Sequence, residues 1–104
     1  MKRVAFKMEL YKGFEAEYQK RHDEIWPELK ILLKDSGISD YSIFLDEATN
    51  YLFGVMNVSN QIAVDDLPLQ PVMQKWWAYM KDIMETNPDN SPVSIPLKEV
   101  FFLP

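Results

Sequence analysis

From Arg3 to Leu10 the chain alternates. Val4, Phe6, Met8 and Leu10 are apolar, and Arg3, Ala5, Lys7 and Glu9 fall between them. A period of two puts one set on each face of a pleated backbone, so the pattern predicts a strand. Beyond Gly13 the period changes: Phe14, Tyr18, Ile25, Leu29, Leu32 and Leu33 recur at helical spacings among charged residues until Gly37 supplies a stop. Pro27 lies inside this helix. It has no N–H to donate and crowds the preceding turn, which predicts a kink or break near Ile25 and Trp26. Tyr41 to Leu45 and Tyr51 to Met56 are rich in strand formers, and Asp46 to Asn50 between them reads as a hairpin connection.

The stretch from Ser59 to Pro71 carries Asp65, Asp66 and two prolines and reads as short or irregular structure. From Val72 to Met84 helical spacing returns in Met73, Trp76, Trp77, Met80, Ile83 and Met84, and the turn-rich run Asn87 to Pro92 ends it. Leu97 to Leu103 reads as a closing strand. The order βαββαβ predicts an α+β, ferredoxin-like fold: a four-stranded antiparallel sheet with two main helices on one face. The third strand is apolar on both sides, Leu52, Met56 and Val58 against Tyr51, Phe53 and Val55, and the fourth is similar. A sheet with one wet face would alternate apolar and polar. The pattern therefore favours a homodimer in which two sheets face each other, over a monomer with a thick core.

Composition narrows the chemistry. The 104 residues make one domain, 1–104, of ordinary globular composition. Zero Cys excludes disulfides and thiolate sites, and a single His excludes any site needing two. With only Gly13, Gly37 and Gly54, neither the P-loop nor the dinucleotide fingerprint can be written. The carboxylates form no spaced ligand set, so no metal is expected. A net charge of −5 opposes nucleic-acid binding. No run is long and apolar enough for a membrane span, and Lys7 and Glu9 interrupt the start that a signal peptide would need. These features read as a cytoplasmic protein with neither nucleic acid nor membrane as partner.

What remains is oxygen acids, aromatics and one imidazole. His22 is the one side chain whose ordinary pKa lies near neutrality, and Tyr18, four residues earlier, shares its helix face. The pair could present a phenol and an imidazole to one ligand, although a solvated His and a core Tyr fit the same spacing. Trp76 and Trp77, about 100° apart on a helix, cannot both face one narrow core stripe, so one of them could edge a pocket. Flat aromatic faces with an N–H or O–H suit the C–H faces and hydroxyls of a sugar. Tyr41 could join that cleft or fill the core. The run Asn87 to Pro92 reads first as turn chemistry and second as a fence to a pocket.

The runs Glu17 to Leu29, Asp40 to Asp46, Gln74 to Met80, Asn87 to Pro92 and Phe101 to Pro104 together resemble the L-rhamnose mutarotase family over nearly the whole chain. Ser59 to Pro71 departs most from the family's pattern. The resemblance implies a homodimeric α/β barrel acting without cofactor on the anomeric centre of L-rhamnose or a related 6-deoxy-hexose. It further implies His22 as proton donor and Tyr18, Tyr41, Trp76 and Trp77 as sugar contacts. The group that removes the anomeric proton stays open, with Tyr18 or an ordered water as candidates. Two other classes fit the same fold. One is an oxygenase, cofactor-free or with haem, and the other is a non-catalytic sugar-binding module.

Overall fold

A computed structural model describes residues 1–104. Four strands form one antiparallel sheet in the order β2-β3-β1-β4: β1 is Lys2–Glu9, β2 Ile38–Asp46, β3 Tyr51–Val58 and β4 Ile95–Leu97. The helices α1 (Glu15–Asp23), α2 (Pro27–Asp35), α3 (Gln61–Asp65) and α4 (Pro71–Met80) complete the chain, with a 3₁₀ turn at Leu67–Leu69. None is long and apolar enough to cross a membrane. The expected ferredoxin-like arrangement is present, and the paired faces of β1 and β3 follow the predicted alternation: Val4 opposes Met56, Phe6 opposes Gly54 and Met8 opposes Leu52.

The long helix expected between Phe14 and Gly37 is two helices. Pro27 occupies the first position of α2, where its missing N–H costs nothing, and it forces Trp26 into an extended conformation (φ −60°, ψ 133°). The chain thus turns between α1 and α2, and Trp26 swings toward α4. The segment from Ser59 to Pro71 holds α3, whose N-cap Asn60 accepts a hydrogen bond from Ala63 N–H at 3.1 Å.

Two boundaries differ from expectation. The second long helix stops at Met80, not Met84; Ile83 and Met84 are buried beyond its end, with Met84 bridging to Leu10 just past β1. The last strand is Ile95–Leu97 and shares only Leu97 with the expected span. Its register pairs Ala5 with Leu97 and Lys7 with Ile95. Beyond Leu97 the chain forms no further strand, and Arg3 lies 4.4 Å over the Phe102 ring in its apolar tail.

The core sits between the sheet and the helices and centres on Met8, Leu10, Leu29, Leu52, Trp76, Met80 and Ile83. At the middle of β3, Gly54 admits the Phe6 ring across it, and a Cβ there would run into that ring. Phe6 in turn meets Tyr41 edge to face, ring centroids 6.1 Å apart. The opposite sheet face carries Phe44, Phe53, Val55, Ala5, Ile95 and Leu97 in register. No element covers it, and Phe44 stays 62% exposed.

Candidate active site

One face of α1 builds the first wall of the site. Tyr18 and His22 stand one turn apart, their rings stacked at 4.3 Å. The edge of His22 meets Trp76 of α4 at 5.4 Å and 89°. Tyr41 enters from β2 beside an irregularity: the register with β3 shifts between Ser39 and Ser42, and Asp40 takes φ 50°. Such a bulge re-aims the side chains that follow it. All five residues singled out from the sequence, Tyr18, His22, Tyr41, Trp76 and Trp77, line one cavity of about 90 Å³. It shares His22, Tyr18, Tyr41 and Trp76 with a hollow of about 850 Å³ between α1, α2 and β2, so the two form one recess. Together they offer the room a small ligand needs.

The tryptophan pair divides as helix geometry requires. Trp76 is buried in the core and Trp77 is half-buried, yet both reach the cavity. Sequence reasoning overlooked Trp26, which packs edge-on against Trp76 at 5.1 Å and stacks on Tyr79 at 5.6 Å. Arg21 lies over the Tyr79 ring at 4.3 Å and is held by Glu17 at 2.7 Å and Asp82 at 2.9 Å. The signal for Trp26 was its place immediately before Pro27, which fixes its backbone. Thr86, Asn90 and Pro92 also line the smaller cavity, so the turn-rich loop does fence the pocket. Glu15, three residues before Tyr18, lines the larger hollow with one carboxylate oxygen buried and unpartnered.

The electrostatics assign states to these groups. His22 Nδ1 lies 3.0 Å from the Tyr18 carbonyl oxygen, which can only accept. Nδ1 therefore carries the proton and Nε2 is the nitrogen left for a ligand. Burial is the largest influence on His22 and lowers its pKa, against the smaller opposing pull of the Tyr18 carbonyl and Asp23. The resting imidazole is thus neutral near pH 7, with a lone pair on Nε2. Burial raises the Tyr18 phenol well above its ordinary value, with the nearby Tyr41 adding to the effect. Tyr41 keeps 39% of its surface exposed, but its hydroxyl end is walled in and pushed up to about 12. Both phenols stay protonated and act as hydrogen-bonding groups, not bases. No group of three or more His, Cys, Asp or Glu stands close enough to hold a metal ion.

The recess thus joins one neutral imidazole to tyrosines and tryptophans. The family model for L-rhamnose mutarotase matches residues 3–103. The chain belongs to the L-rhamnose mutarotase family. It is 57% identical over 103 residues to the L-rhamnose mutarotase of Formosa agariphila, covering 99% of each chain, and 60% identical over 103 residues to that of Sinorhizobium fredii, again covering 99% of each. A crystal structure of the Formosa agariphila enzyme superposes with a TM-score of 0.94 at 56% identity, over 100% of both chains. A Mycobacterium tuberculosis protein shares the fold at 11% identity, TM-score 0.61, over 96% of this chain and 95% of that one.

Proposed function

We propose that this protein is an aldose mutarotase that interconverts the α and β anomers of L-rhamnose, or of a close 6-deoxy-hexose, by cofactor-free acid–base catalysis at His22. The observation that carries this reading is the neutral imidazole with Nδ1 tied to the Tyr18 carbonyl, set beside Tyr41, Trp76 and Trp77 in one cavity. Nε2 takes the proton of the anomeric hydroxyl. As the O–H electrons form the C1 carbonyl, the bond from C1 to the ring oxygen breaks and that oxygen receives the proton from the imidazolium. Rotation about C1–C2 and the reverse steps close the other anomer. One proton circulates between two oxygens of the same carbon, and His22 ends as it began. His22 is thus the proton donor to the ring oxygen after first acting as base. Tyr18, with its raised pKa, is a poor candidate for removing the anomeric proton.

Tyr18 and Tyr41 offer hydroxyls to the sugar, and the indoles of Trp76 and Trp77 offer apolar faces to its C–H groups and C6 methyl. A 6-hydroxyl against such a wall would lose hydration. The functional unit spans residues 1–104 and works as a homodimer in which the outer sheet faces of two copies cover each other. The uncovered row of Phe44, Phe53 and Val55 supports this pairing, because lone monomers rarely expose such contiguous apolar area. A cytoplasmic location, with a monosaccharide and a second copy as partners and neither nucleic acid nor membrane, belongs to the same reading. NMR saturation transfer between the α and β anomeric protons of L-rhamnose tests it. Exchange should be faster with protein than without, and unchanged exchange under saturating protein would overturn it.

A further inference from the structure

The loop Asn87 to Pro92 closes almost entirely on itself. Asn87 Nδ2 donates to Ser91 Oγ at 3.1 Å, and Asn87 N–H donates to the Ser91 carbonyl at 2.7 Å. Asp89 accepts from Ser91 N–H at 3.0 Å and also from its hydroxyl. Thr86 and Pro92 bridge the base of the loop. Asn90 is the exception: its backbone N–H donates to the Asn87 carbonyl at 2.9 Å, while its side-chain amide makes no hydrogen bond in the protein. A positive φ of 72° holds the half-buried residue where its neighbours' bonds fix it. Asn90 lines the cavity of His22, and so does Thr86, whose hydroxyl likewise has no protein partner.

The rest of that cavity is a thioether and aromatic wall, including Met8, Met73, Met80 and Met84. A pyranose placed with C1 and its ring oxygen at His22 keeps further hydroxyls at C2, C3 and C4. Facing methionines, an unpaired hydroxyl would lose its water without replacement. Asn90 is the only side-chain amide lining the smaller cavity, Gln19 lying on the wall of the larger hollow, and an amide offers donors and an acceptor together, the match for two adjacent hydroxyls. We infer that Asn90, with Thr86 beside it, is a specificity-determining contact that hydrogen-bonds ring hydroxyls away from the anomeric carbon. The inference rests on the mutarotase reading and extends the site to a group which that reading does not use. A site that hydrogen-bonds a hydroxyl discriminates strongly against a sugar that fails to present it, whereas an apolar contact to the C6 methyl discriminates weakly.

The test compares wild type with Asn90→Gly, which keeps the positive φ and deletes the amide, and Asn90→Asp, which tolerates the same φ and exchanges the N–H donors for a second acceptor oxygen and a negative charge. Sugar affinity is read from tryptophan fluorescence, and exchange from saturation transfer, for L-rhamnose and its epimers at C2, C3 and C4. In Asn90→Gly the KM for L-rhamnose should rise roughly tenfold or more with a smaller change in kcat, and the preference over at least one epimer should shrink. Asn90→Asp should show the same KM rise in smaller measure, and it decides the matter if the Gly variant does not fold. A folded variant with wild-type KM and wild-type epimer preference overturns the inference and leaves the mutarotase reading standing. Wild type that binds L-rhamnose without exchanging its anomers removes the mutarotase reading, and the affinity comparison still judges Asn90. Wild type that binds no sugar overturns both.

Discussion

His22 gains its chemistry from two neighbours: a carbonyl that fixes the tautomer and a wall of aromatic rings that keeps it neutral. Because burial sets its folded pKa below the unfolded value of about 6.5, the unfolded chain binds more protons in the interval between the two. Stability from this residue is therefore full above about pH 6.5 and is lost as pH falls through that interval. Activity should follow the same proton: exchange should be flat at neutral pH and decline in acid with a midpoint below about 6.5, measured by saturation transfer across pH. A midpoint above that value would contradict a neutral resting imidazole. Tyr18→Phe, which keeps the stacked ring, should reduce exchange far less than loss of His22 does. The phenols titrate the other way. Tyr18 and Tyr41 should remain un-ionised in a spectrophotometric titration at pH values where an ordinary tyrosine, near 10, is already phenolate.

At the level of elements, the sheet holds Tyr41 in place through the contact of Phe6 across Gly54. Gly54→Ala would force the Phe6 ring to move, an overpacking cost of about 1–3 kcal/mol. Thermal unfolding should show the midpoint dropping by several degrees for each kcal/mol in a domain of this size. An unchanged midpoint would mean that the ring yields freely. The break at Pro27 was legible in the sequence because proline acts on its own backbone and on the residue before it. The end of α4 and the span of β4 were not. Ile83 and Met84 carry helical spacing but are buried beyond the helix end, Met84 bridging to Leu10, and the tail from Val100 to Leu103 is apolar enough for a strand but forms none. Within the site, Tyr18, His22 and the tryptophan pair stood out by residue type and spacing. The loop Asn87 to Pro92 was legible as a fence to the pocket, but that Asn90 is its unbonded side chain was not, and Trp26, which backs Trp76 from outside the cavity wall, depends on the turn between α1 and α2.

Over the whole molecule, one sheet face is packed by helices and the other is bare. Sedimentation at micromolar concentration should give twice the 12.3 kDa chain mass. Phe44→Glu, which sets a charge on the apolar row of that face, should shift the protein toward monomer. A wild-type monomer at that concentration would contradict the paired-sheet arrangement. The catalytic account also needs no metal, so dialysis against a strong chelator should leave exchange unchanged; a loss restored by a divalent ion would refute it.

The central claim is that the imidazole of His22 moves the proton. The most direct test is saturation transfer on folded His22→Ala with L-rhamnose, alongside sugar affinity from tryptophan fluorescence. Exchange should fall by about 10²–10⁴-fold, the usual worth of a positioned acid–base group, while affinity changes little because Tyr41, Trp76 and Trp77 remain. A folded His22→Ala protein that exchanges the anomers at the wild-type rate would contradict the account.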